Sequence, residues 1–182
     1  MTNRADMTTG QIISRHQGAA PVDLEGMARD LGIAVHYDRE LPDTISGKIQ
    51  RIGPGGSGSN FAIHINAKHH PNRQRFTLAH ELAHFHMHRD RIREGVVDNE
   101  MYRSETLSNH LERQANQYAA AILLPAPLVK AEYQNTGGDV DEMARIFRVS
   151  PQAMQIRLDE LKRFARTRAA RGLSSLRHRH RA

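Results

Sequence analysis

Two histidines and a glutamate near the middle of the chain have the spacing of a hydrolytic metal site. Residues 71–88 read PNRQRFTLAHELAHFHMH, and within them His80-Glu81-Leu82-Ala83-His84 forms an H-E-x-x-H pattern. On an α-helix, residues four apart lie one turn apart on one face, so the His80 and His84 rings can converge on one metal ion. Glu81 can then take a proton from water activated by that ion. Pro71 suits the first turn of a helix, where its missing N–H costs nothing. Phe76, Leu78, Ala79, Leu82, Ala83, Phe85 and Met87 make the segment apolar on more than one side, which predicts a buried helix. Two histidines and a glutamate buried there need partners. A metal satisfies all three; a hydrogen-bonded pair of core histidines is the plainer alternative.

Catalytic zinc wants three protein ligands and one open position. A third histidine six residues after the second is excluded, because Asp90 occupies that position and Met87 stands where a glycine would be needed. The other completion is a glutamate on a second helix, for which Glu94, Glu100, Glu105 and Glu112 are the downstream candidates. Glu94 sits beside Gly95 in a polar connection. Glu112 opens the segment LERQANQYAAAILLP, residues 111–125. On a helix, Glu112, Ala115, Asn116 and Ala119 share one face, and the small residues let a neighbouring helix approach closely. Glu112 is therefore the expected third ligand. Asn116 can accept a hydrogen bond from the far nitrogen of a ligand histidine and fix its tautomer.

The run Thr77-Leu-Ala-His-Glu-Leu-Ala-His-Phe85, followed by Glu112-Arg-Gln-Ala-Asn-Gln-Tyr-Ala-Ala-Ala-Ile-Leu-Leu-Pro125, resembles the ImmA/IrrE family of metallopeptidases. Both of that family's motifs occur in order, and the resemblance extends over roughly residues 22–164. Ala83, where glycine is frequent, and the polar His86 depart from the usual pattern. The resemblance implies an α+β, zincin-like fold: a small sheet packed on an active-site helix and a Glu-bearing helix. It implies zinc held by His80, His84 and Glu112, with Glu81 as the base. It also implies a substrate of one class, a helix-turn-helix transcriptional repressor cut in response to stress or a signal. Tyr102 and His88 are the candidate donors for the developing oxyanion.

The remaining elements read in order. Residues 1–20 are expected to be loose, with at most a short helix from Gln11 to Gln17. Asp23 caps a helix carrying Leu24, Met27, Ala28 and Leu31, and Gly32 ends it. Ile33–Tyr37, Ile45–Ile52 and Phe61–Asn66 read as strands. The glycine-rich residues 53–59 read as a hairpin connection, since they lack the G-K-[ST] ending of a phosphate-binding loop. An edge strand beside the site would bind an extended peptide by strand addition, and the Ser46-Gly47 strand and the Phe61 strand are the candidates. Residues 139–164 read as helix, turn, helix, with Ser150 as cap and Pro151 as first residue of the second helix. Gln152, Gln155 and Arg157 would face DNA if this pair were a reader. Alternatively, Met143, Ile146, Phe147, Met154, Leu158 and Leu161 pack it beneath the metal-binding domain.

Composition bounds the function classes. The 182 residues include no cysteine, which excludes disulfides and thiolate ligands and suits a reducing cytoplasm. No stretch reaches the roughly 20 apolar residues of a membrane span, and the first residues show no secretory signal. Net charge is +6, but residues 162–182 hold eight Lys or Arg and no Asp or Glu, so the body without them is −2. That basic tail, residues 165–182, is expected to be disordered, with weak, salt-sensitive contact to nucleic acid as its one functional use. The organisation expected is a metallopeptidase domain over residues 21–164 followed by the tail. Two other classes compete with the peptidase: a DNA-binding regulator with a structural zinc, and a toxin whose neutralising partner covers the cleft.

Overall fold

The computed structural model describes residues 7–52, 59–92 and 105–179. Its elements run α1 (Thr9–His16), α2 (Leu24–Asp30), β1 (Ile33–Asp38), β2 (Gly47–Arg51), β3 (Phe61–Asn66), α3 (Pro71–His88), α4 (Glu105–Leu123), α5 (Ala126–Asn135), α6 (Val140–Phe147) and α7 (Pro151–Arg179). The fold is α+β: helices surround a three-stranded sheet of order β1-β3-β2. β1 runs parallel to β3, pairing Ile33 with Phe61, and β2 runs antiparallel, pairing Gly47 with Ile65.

The central position of β3 explains its sequence. Phe61, Ala62, Ile63, Ile65 and Asn66 are all buried, so both faces of the strand are covered and the apolar-polar alternation is incomplete. Both edges of β3 are already paired, which removes the Phe61 strand as a site for strand addition. β2 lies at the sheet edge. It is shorter than the sequence suggests, because Ile45 closes a turn by donating its N–H to the Pro42 carbonyl (2.9 Å).

Residues 7–20 are not loose. Thr8 and Gln11 form a reciprocal capping box that starts α1 at Thr9. Ile12 and Ile13 then pack into the same core as Leu24 and Met27. Gln17 ties this end of the chain to α4, donating to the Ala121 and Ile122 carbonyls. The other end also differs from expectation, since α7 continues as a helix to Arg179 in place of a disordered tail.

α3 occupies the predicted span, with Pro71 in its first turn. It packs along α4 and against the sheet. Ala79 and Ala83 on α3 and Ala115 and Ala119 on α4 are fully buried, and these small side chains allow the close approach. α6 and α7 form the helix-turn-helix-like pair. Asp139 caps α6, Arg148 takes a left-handed conformation (φ 53°) in the turn, and Ser150 accepts the Ala153 N–H to start α7. Met143, Phe147, Met154 and Leu158 are buried in the common core, so this pair packs onto the rest of the domain. Arg157 donates to the Leu124 carbonyl (3.1 Å) and pairs with Glu160, which removes it from the groups free to meet DNA. No described helix is long and apolar enough to cross a membrane.

Candidate metal centre

Helical spacing brings His80 and His84 together on α3. Their Nε2 atoms stand 3.0 Å apart. α4 delivers Glu112 opposite them, with one carboxylate oxygen 3.3 Å from His80 Nε2 and the other 3.3 Å from His84 Nε2. Among the described residues this trio is the one group of three or more His, Asp or Glu side chains able to share a metal ion.

The far nitrogens decide what the near ones present. His80 Nδ1 lies 3.0 Å from Asn116 Oδ1. With that oxygen as acceptor, the proton sits on Nδ1 and His80 Nε2 carries a lone pair. His84, fully buried, has Nδ1 3.1 Å from His88 Nδ1. Burial, and then the neighbouring His84, push the His88 pKa down, and its side chain is hydrogen-bonded to Gln114. A neutral His88 accepts from His84 Nδ1–H, and His84 Nε2 also turns a lone pair toward the trio.

With no metal bound, a proton shared from the His80 and His84 Nε2 atoms hydrogen-bonds Glu112 and holds its carboxyl well below the usual carboxylate range, so it is an anion; a metal would take that proton's place. Three electron-pair donors 3.0–3.3 Å apart require a cation or a shared proton among them. Ligands bound at about 2.0–2.1 Å around a tetrahedral ion stand roughly 3.3 Å from one another, so the donor set and its spacing fit a metal such as zinc.

His88, a candidate oxyanion donor by sequence, lies behind His84 on the side away from the trio. That place makes it a support of the ligand instead. Tyr102, the other such candidate, lies outside the described residues. Of the remaining histidines, His70 caps α3 by accepting the Asn72 N–H, and His69 contacts the Asp43 carbonyl. Neither joins the trio.

A cleft of about 350 Å³ opens over the site. Glu81, only 2 % exposed, lines it beside His80, Glu112 and Asn116. The opposite wall is Thr44, Ile45, Ser46 and Gly47, the approach to β2. Ser46 Oγ accepts from Arg73 (Nη2, 2.8 Å), and Arg73 and Phe76 complete the α3 wall. Phe76 is stacked on the His80 ring, with centroids 6.3 Å apart.

Sequence reasoning counts Phe76 among the buried apolar residues and passes over Asn66. The Asn66 side chain is fully buried and donates to the Pro42 and Ile45 carbonyls (3.0 and 2.9 Å). It thereby holds the loop that forms the cleft wall. A polar residue closing a strand whose only other polar residue is His64 is the available signal. Gly47 makes the approach of wall and helix possible: a Cβ there would collide with Thr77 Cγ2 and lie 2.8 Å from the His64 carbonyl oxygen.

Residues 28–159 match the family model described as Peptidase_M78, IrrE N-terminal-like domain. The chain belongs to this family. It is 35% identical over 102 residues to the radiation response metalloprotease IrrE of Deinococcus radiodurans, an alignment covering 54% of this chain and 30% of that protein. With the IrrE of Deinococcus deserti the identity is 36% over 89 residues, covering 47% and 31%. The match thus spans about a third of the length of these relatives. A solved structure described as a Mycobacterium tuberculosis transcriptional regulator shares the fold, with a TM-score of 0.53 and 22% identity over 85% of this chain and 42% of that one.

Proposed function

We propose that this protein is a zinc-dependent endopeptidase that hydrolyses a bond in one specific protein, a helix-turn-helix transcriptional repressor, in the cytoplasm. The observation that carries the reading is the convergence of His80, His84 and Glu112 beneath a cleft that Glu81 also lines. His80, His84 and Glu112 would hold the zinc, which when bound acidifies water and polarises a peptide carbonyl. Asn116 and His88 keep both imidazoles in the tautomer that a metal ligand needs. Glu81 accepts a proton from the water as its oxygen attacks the carbonyl carbon, then delivers that proton to the amine as the C–N bond breaks. Its place in the cleft beside His80 and Glu112 suits Glu81 to this exchange.

The β2 edge supplies a way to hold the substrate. Its Gly47–Arg51 backbone pairs with β3 on one side, and Ser46 and Gly47 form the cleft wall on the other approach. An extended segment pairing with that edge would run across the site with its carbonyl groups fixed by main-chain hydrogen bonds. The choice of a repressor rests on the family resemblance. Contact of the basic tail with nucleic acid is a secondary feature of the same proposal.

The test has two parts. Elemental analysis of purified protein should find about one zinc per chain lost on Glu112→Ala, against a background from His178 and His180 that the substitution does not touch. Incubation with a panel of helix-turn-helix repressors from the same organism should then yield one cut in one of them with wild type and none with Glu81→Gln, which keeps its zinc. Cleavage by Glu81→Gln at the wild-type rate would sink the mechanism.

A further inference from the structure

A second, larger groove adjoins the cleft. It encloses about 700 Å³ between the first turns of α3, the outer face of α4 and the start of α7. Cleft and groove share three walls, Arg73, Phe76 and Asn116, so they form one continuous trough passing over His80.

Apart from the exposed Gln117, the polar side chains around the groove are committed. Asn72 donates to the Val149 carbonyl (3.0 Å), Arg73 to Ser46, and Asn116 bonds to His80. Ser150 caps α7, and Glu160 pairs with Arg157. What the groove offers is the apolar surface of Phe76, Ala120, Leu123, Leu124, Ala153 and Ile156. Phe76 is 36 % exposed and Ile156 53 %, and both stand along it. Its long walls are helices whose backbone N–H and C=O groups are paired within the helix, so strand addition is impossible there. Recognition must come from side chains. The Asn72 bond to Val149 and the Arg157 bond to Leu124 fasten α7 to α3 and α4, so the groove is fixed before anything binds.

We infer that this groove is the specificity site of the enzyme and takes large apolar side chains from the polypeptide substrate, in a stretch outside the one that pairs with β2. The inference rests on the peptidase reading above. It also accounts for the helix-turn-helix-like pair, since α7 supplies one wall of the substrate trough.

The test separates binding from cleavage. A displayed library of random peptides is selected on the zinc-loaded full chain carrying Glu81→Gln. Enriched peptides are expected to share Leu, Ile, Met or Phe, and to bind at least about tenfold more weakly when Ile156→Asp places a charge in the groove or Gln117→Trp fills it. Both positions are exposed, and an unchanged melting temperature and zinc content confirm an intact fold. Peptides without an apolar preference, or affinities untouched by both substitutions, overturn the inference. The selected peptides are then given to wild type. Cutting beside the apolar residues supports the groove as part of the reaction. If these peptides stay intact while the repressor is cut, the groove is unrelated to catalysis and the inference fails. A wild type that cuts neither refutes the peptidase reading, while the two groove variants still decide whether the groove binds apolar side chains.

Discussion

Replacing Asn116 by alanine tests whether the tautomer argument holds. The side chain is exposed, and its Oδ1 lies 3.0 Å from His80 Nδ1. Without that acceptor, His80 can place its proton on either nitrogen and its ring can turn, so part of the population no longer offers a lone pair to the site. Partners of this kind are typically worth 10–100-fold in metal affinity, or about 1.4–2.7 kcal/mol. Because the side chain is exposed, the metal-free fold should lose little stability. Zinc affinity is measured by competition with a chromophoric chelator, and thermal melting is followed on the metal-free protein. The expected result is a Kd raised by 10–100-fold with an almost unchanged melting temperature. Asn116→Asp keeps the acceptor and should hold zinc at least as tightly as wild type. An alanine variant with wild-type affinity would refute the reasoning, since His80 would then need no help in choosing its tautomer.

Three further perturbations address the frame around the site. Gly47→Ala should destabilise the protein by about 1–3 kcal/mol and reduce repressor cleavage, because the new methyl meets both Thr77 and the His64 carbonyl. Adding Thr77→Ser relieves the first collision alone, so urea melts should show partial rescue; full rescue would mean the backbone contact is soft. Leu82→Ala, fully buried on the face of α3 away from the ligand histidines, should cost about 2–5 kcal/mol and lower the melting temperature by roughly 4–20 °C in calorimetry. Tyr37 is expected to titrate late: burial, and then the hydrogen bond it donates to Glu25, raise its pKa to about 12. A raised pKa means that the stability from the protonated phenol is complete below about pH 10 and is lost as pH rises through about 12. Subtracting the 295 nm absorbance titration of Tyr37→Phe from that of wild type should isolate this step, and Glu25→Gln should move it to lower pH.

How legible each part is follows from how local its signal is. The trio and Asn116 can be placed from sequence because a helix fixes which residues share a face, and both carrier segments are strongly helical. The same rule places His88 on the ligand stripe but cannot say which way its ring will face; burial beside His84 makes it a support. The cleft wall is harder. Ser46 and Gly47 are marked only as part of a strand, while Asn66, which holds the preceding loop through bonds to residues more than 20 positions away, acts across a separation that no periodicity encodes. The capping box at Thr8 is readable in principle, yet the polar composition around it conceals two core isoleucines.

Phe76 shows most plainly where pattern reading ends. Its hydrophobicity and position assign it to the core, as they do Leu78 and Leu82. Those two are buried in the common core. Phe76 lies one turn before His80, and among the described residues it borders both the cleft and the groove. A helix surface that must carry two metal ligands cannot also be sealed by its neighbour, since substrate has to reach them. The residue one turn along the same face is therefore left uncovered. Keeping a phenyl ring there leaves apolar surface in water, and that cost is offset only if something apolar comes to cover it. On the peptidase reading, stacking on His80 would place whatever covers Phe76 beside the bond to be cut. Substituting Phe76 should accordingly disturb both metal-ligand orientation and substrate choice, whereas Ile156→Asp, farther along the groove, should disturb substrate choice alone.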